Sequence, residues 1–298
     1  MELLCYNRND MASVLFLIIA IISSAAMAIV LKIFRKQEGN RYGIILGNYL
    51  TCVILALILM PKGKGMFQAS SASWLCGIAG GILFVAGLVG MQSSVRKNGA
   101  ILTSAFSRLG LIVPLLVSIL FFKEPLRLIF LPGVLLVFAA FLLISFDSGG
   151  SISGESGHVH PLLLLLVLLF CGGGDAMAKV FNELGQKGKD SFYFLVLFAT
   201  ASVLTIALLF LERQKNGKKV IWKEFAAGVF VGIPNYFSSF FLLKALGGLS
   251  PLVVYPVFSA GTLLFVTLIA VPAFKERPGI KTWIGLGLIA AALVLLNL

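Results

Sequence analysis

Asp175, Lys179 and Glu183 recur at every fourth residue inside a long apolar stretch, so a helix there carries three ionisable groups along one face. Asn182 adds a neutral polar group beside them. Arg108 stands about nine residues into another apolar stretch, next to Ser107 and ahead of Pro114. At 1.5 Å per residue that is a depth of about 13 Å, too far for easy snorkelling. A charge in hydrocarbon costs at least ~2.5–3.5 kcal/mol, so each of these groups calls for a pairing partner or a polar cavity. Counted together, Arg108, Lys179 and Asp175 give such a cavity a formal charge of +1, which suits an anionic or zwitterionic solute. Two structural alternatives stand beside this: a salt-bridge ladder within the 175–183 helix, and a permanent Arg108–Asp175 pair without a ligand role. Softer polar candidates are Asn235 and Tyr236 after Pro234, Tyr255 before Pro256, and Asn48 before Tyr49. Interhelical hydrogen bonding is their commoner use.

The stretches that hold these groups are membrane-type segments. The chain of 298 residues is 59% hydrophobic and only 12% charged, too little charge to cover a soluble domain. Ten stretches reach the ~20 apolar residues that a spanning helix needs: 11–34, 41–60, 73–95, 99–122, 127–146, 161–184, 190–211, 222–245, 249–271 and 279–298. Continuous apolar runs, not alternating ten-residue strands, predict helices rather than an outer-membrane barrel. The first stretch has a basic residue ahead of it and an Ala26-Met27-Ala28 cleavage-like site, but its apolar run continues to Phe34. It is therefore expected to be an uncleaved helix. Gly172-Gly173-Gly174 ahead of Asp175 is expected to weaken the sixth helix there, by roughly 1 kcal/mol per glycine relative to alanine.

Net charge is +12, yet the basic residues lie in short loops between apolar runs, where they anchor to headgroups; nucleic acid is not an expected partner. Cys5, Cys52, Cys76 and Cys171 show no metal-ligand spacing and read as small packing residues. His158 and His160 sit in the Gly/Ser-rich segment 147–160, the most polar part of the chain and a predicted flexible linker.

That linker divides the spans five and five, and the two sides echo each other. Gly77-x3-Gly81 recurs as Gly228-x3-Gly232, 151 residues on. Phe106-Ser107 recurs as Phe258-Ser259, and Phe122-Lys123-Glu124-Pro125 as Phe274-Lys275-Glu276-Arg277-Pro278. Lys32 finds a counterpart in Lys179. Because five is odd, the second copy starts on the opposite side of the bilayer, which makes the repeats inverted; such repeats recur in alternating-access carriers with a midplane site. Gly43-x3-Gly47 and the other glycine pairs allow close helix approach. Glu124 and Glu276 read as capping and turn residues of short hairpins.

The FKEP and FKERP turns, Gly133 and Gly285 in the helices after them, and Lys32 and Lys179 together resemble the drug/metabolite transporter superfamily, specifically EamA-like carriers. The resemblance covers essentially the whole chain. It implies an all-α integral membrane fold of ten transmembrane helices in two inverted five-helix repeats, residues 1–146 and 161–298. It also implies a secondary transporter of a metabolite or drug-like solute, often an exporter. Ser24 and Cys171 stand where the family often has tryptophan, so contacts of those tryptophans are not carried over. The expected location is a bacterial inner membrane as a multi-pass protein. The expected partners are a small-molecule substrate and the lipid bilayer, with a homodimer compatible; no cofactor, metal or catalytic residue is expected. Substrate-binding candidates are Arg108, Asp175, Lys179, Asn235, Tyr236, Tyr255 and Asn48.

Sidedness divides two indicators. Fourteen Lys and Arg flank one side and eight the other, which places both termini outside, whereas the resemblance implies both inside. A channel, a lipid-flippase-like protein or a scaffold subunit are the rival membrane functions. An intramembrane aspartyl protease lacks its second deep carboxylate, and ATP-driven transport lacks a Walker motif.

Overall fold

A computed structural model describes residues 8–34, 40, 42–63, 67–124, 130–147, 160–217, 219–274 and 279–295. Among them every regular element is helical: α1 (Arg8–Ile33), α2 (Tyr42–Leu59), α3 (Ser71–Leu109), α4 (Ile112–Leu120), α5 (Leu131–Asp147), α6 (Pro161–Leu184), α7 (Asp190–Asn216), α8 (Trp222–Leu246), α9 (Pro251–Phe274) and α10 (Ile280–Leu295). Eight segments are long and apolar enough to cross a membrane, while α5 and α10 are shorter apolar helices. The linker residues 148–159, with His158, and the turn residues Lys275, Glu276, Arg277 and Pro278 lie outside the described residues.

The third and fourth spans differ from expectation in where they break. Helical geometry runs through both, interrupted at Gly99, whose φ of 81° is open to glycine. Buried Ser94, Asn98 and Thr103 tie this turn: the Ser94 and Thr103 hydroxyls are 2.7 Å apart, and Thr103 donates to the Gly99 carbonyl at 2.8 Å. The fourth span then breaks at Gly110–Leu111, directly after Arg108. Pro114 explains this: it has no N–H to give the Gly110 carbonyl, which accepts from Val113 at 2.9 Å instead. By contrast α6 runs unbroken through its triple glycine. A Cβ on Gly172 would collide with the Gly110 carbonyl, so glycine at 172 serves close backbone approach.

The chain forms two compact units, each drawing on both halves of the sequence: Met1–Val85 with Val180–Gly248, and Ala86–Lys179 with Leu249–Leu298. In the first, α1 and α2 pack along α8, and α2 also packs on α7. Its core is a run of touching rings: Phe84, Tyr49 and Tyr236 each contact Phe198, with centroids 6.0–6.4 Å apart. In the second, α5 packs against α10, where Gly285 meets Ala140 and Ile144.

Two helix crossings of the first unit correspond. On α3, a Cβ at Gly81 would fall 2.5 Å from the Leu197 carbonyl oxygen and 2.7 Å from Thr200 Cβ on α7. On α8, a Cβ at Gly232 would fall 2.6 Å from both the Asn48 carbonyl oxygen and Thr51 Cβ on α2. Gly77 likewise faces Tyr193, and Gly228 faces Ile44. The glycines are 151 residues apart and their partners 149, so one contact pattern is written twice in the chain.

Candidate functional site

The charged groups gather in the second unit. Lys179 is almost fully enclosed and ion-pairs with Glu124, whose other oxygen accepts from the Ser250 hydroxyl at 3.5 Å. Local backbone explains how Glu124 gets there. Lys123 adopts a left-handed φ of 52°, and Pro125 restricts Glu124 to extended conformations, so the turn reverses sharply. Glu124 is therefore more than the hairpin residue expected from its place in the sequence. It neutralises Lys179, and the four deep charges sum to zero rather than +1.

Arg108 and Asp175 are handled differently. Arg108 lies half-buried at the helix break, its guanidinium 5.4 Å from the centre of the Phe141 ring. It makes no ion pair, and neither does Asp175, so the expected alternative of a permanent pair between them is absent from this structure. The backbone carbonyl of Asp175 accepts from the Tyr255 hydroxyl at 3.0 Å, and its carboxylate has no ion-pair partner. The two belong to touching segments. Gly110 abuts Gly172, one turn before Asp175. An arginine and an aspartate, each without an ion-pair partner, thus belong to two segments that touch at the helix break. Irregular backbone at membrane depth is tolerated where it is buried in protein or lines a cavity.

The remaining candidates divide. Tyr255 is buried and spends its hydroxyl on α6. Asn48 and Asn235 belong to the first unit, where Asn235 Nδ2 donates to Asn48 Oδ1 at 3.0 Å. Cys52 lies beside both, with its sulfur 3.3 Å from the Gly232 carbonyl oxygen. Tyr236 is fully enclosed among Phe194, Phe198, Phe237 and Phe240 and packs there. A second ion pair, Lys244 with Asp190, joins α8 to the start of α7. Glu124 is the residue that sequence reasoning misplaced.

Residues 160–298 match the model of the EamA-like transporter family. That match and the eight apolar helices of spanning length among the described residues support a multi-pass membrane protein similar to transporters of the drug/metabolite type. It is 28% identical over 281 residues to an uncharacterized protein of Haemophilus influenzae, covering 91% of this chain and 93% of that one. A solved crystal structure shares the fold, with a TM-score of 0.70, 16% identity and coverage of 95% of both chains.

Proposed function

We propose that this protein is a secondary transporter moving a small zwitterionic metabolite by alternating access. One observation carries the reading: Arg108 and Asp175 have no ion-pair partner, on two segments that touch at a helix break, while the neighbouring Lys179 is neutralised. A structural role would be served by pairing them, because an unpaired charge in the membrane is costly. A solute with a carboxylate for Arg108 and an ammonium for Asp175 supplies both partners at once. The zero net charge of the cluster disfavours a purely anionic cargo.

The twice-written glycine contacts support two inverted five-helix repeats, 1–146 and 161–298, joined by 147–160, with α5 and α10 completing ten spans. Outward transport from a bacterial inner membrane, and assembly as a homodimer, are part of the same proposal by family likeness alone. A compartment reporter fused to the C-terminus decides the sidedness.

The test is counterflow in proteoliposomes, using a cargo found by comparing metabolites retained by cells with and without the gene. Saturable counterflow is expected, and Arg108→Gln and Asp175→Asn should each reduce it at least tenfold with little change in melting temperature. Linear, non-saturating flux would make the protein a channel. Normal counterflow from the Arg108→Asp/Asp175→Arg double variant would make these charges structural.

A further inference from the structure

We infer that the loop joining α7 to α8 is a docking face for anionic phospholipid headgroups, which it selects over zwitterionic ones. The inference lies beyond the carrier reading and needs only that the chain sits in a bilayer.

The loop falls where two spans end: one apolar span closes at Lys215 and the next opens at Trp222. Its shape is fixed from within the first unit. Gly217 closes α7 with a left-handed φ of 66°, and its N–H donates to the Arg213 carbonyl at 2.9 Å. The Lys219 carbonyl accepts from the Asn40 backbone N–H at 3.0 Å. The buried Asn40 side chain donates to the Leu209 carbonyl at 3.4 Å. A Cβ on Gly43 would come within 3.1 Å of Val220, so the start of α2 packs against the loop as well.

On this held loop Arg213, Lys215, Lys219 and Lys223 are all exposed. The acids beside them are withdrawn: Glu224 is buried and Glu212 half-buried. The outward face is therefore cationic. Between Lys219 and Lys223 the apolar side chains of Val220, Ile221 and Trp222 are exposed too. Trp222 is 76% exposed, with its ring stacked on Phe225 at 5.6 Å. Basic groups interleaved with aliphatic and aromatic ones at a span end fit an anionic lipid. The cations meet its phosphate, and the apolar groups meet the boundary between headgroup and acyl chain.

A hydrated charged loop is the plain rival, and an acidic protein segment the macromolecular one. The far end of α7 gives a contrast within the same unit. There Lys244 ion-pairs with Asp190, so the cation is satisfied inside the protein. Among the described residues Arg213, Lys215, Lys219 and Lys223 make no ion pair. Their counter-charge comes from outside the chain, and headgroups are what surrounds the ends of two spans.

Melting of the purified full-length protein in a neutral detergent tests this, with dihexanoyl phosphatidylglycerol against dihexanoyl phosphatidylcholine as probes. Phosphatidylglycerol should raise the melting temperature more than phosphatidylcholine does. That excess should fade with added salt, as contacts between exposed charges do. In the Arg213→Gln/Lys215→Gln/Lys219→Gln/Lys223→Gln variant the half-effective concentration should rise by about tenfold or more. Should that variant unfold, Lys219→Gln and Lys223→Gln singly should each weaken the response. Lys62→Gln/Lys187→Gln/Lys189→Gln, at the other end of α2 and α7, should leave it as it is. Equal stabilisation by the two lipids overturns the inference, as does an unchanged response in the loop variants or an equal loss in the control. So does an equal rise with glycerol phosphate or with polyglutamate, which would make the occupant a free phosphate or an acidic protein. Counterflow plays no part in these readouts, so failure of the carrier reading would leave them standing.

Discussion

The α2–α8 and α3–α7 crossings share a backbone design and differ in what fills it. In both, two glycines four apart let a helix settle onto the carbonyls and a threonine of its neighbour. In one, Asn48, Asn235 and Cys52 occupy the seam; in the other, Leu197, Phe84 and Ala201 do. The glycines answer to packing, since any Cβ there meets backbone or Cβ atoms. The seam residues differ although the glycine contacts around them match. A second asymmetry concerns closeness. Gly47 of α2 lies against Gly228, whereas Val196 takes the corresponding place on α7 against Gly77. The α2–α8 crossing is glycine on glycine, and the α3–α7 crossing is valine on glycine.

The largest expected effect breaks that second asymmetry. Gly228→Ala drives a methyl into the Ile44 carbonyl and should cost about 3 kcal/mol, near the upper end for overpacking. Gly77→Ala meets its nearest backbone atom at 3.2 Å and should cost less, about 1–2 kcal/mol. Gly81→Ala and Gly232→Ala, with matched contacts, should fall together between these. Denaturant titration in detergent micelles gives all four, and a large gap between Gly81→Ala and Gly232→Ala would deny the correspondence.

Smaller effects sharpen the first asymmetry. Leu197→Asn places an amide in a seam without a partner and should cost roughly 1–2 kcal/mol. Asn48→Leu, the reverse exchange, should change stability by about 0.6 kcal/mol or less, the average worth of an interhelical hydrogen bond in a membrane. If Asn48→Leu destabilises more than Leu197→Asn, the amides are structural.

Much of this was legible beforehand. The glycine pairs are visible as GxxxG, because close helix approach has a fixed spacing. Asp175, Lys179 and Arg108 stand out against apolar surroundings for the same reason that they are costly there. Glu124 was not legible. In sequence it is a turn residue beside Lys123, and nothing local shows that a left-handed φ turns it back toward α6. The break after Arg108 was also missed. Gly172–Gly174 drew attention as the weak point, while Pro114 held the signal, and only the fold shows that glycine at 172 serves the approach of Gly110. Asn48 and Asn235 were visible singly, but 187 residues separate them and their pairing is tertiary.

The Lys179–Glu124 pair bears on how the protein is made. Translation produces Glu124 before Lys179, so the counter-ion of the sixth segment is synthesised ahead of it. Glycosylation-site mapping of truncated chains ending beyond α6 would show the segment inserting less completely when Glu124 is replaced by leucine, and equal insertion would mean that the pair forms only after assembly.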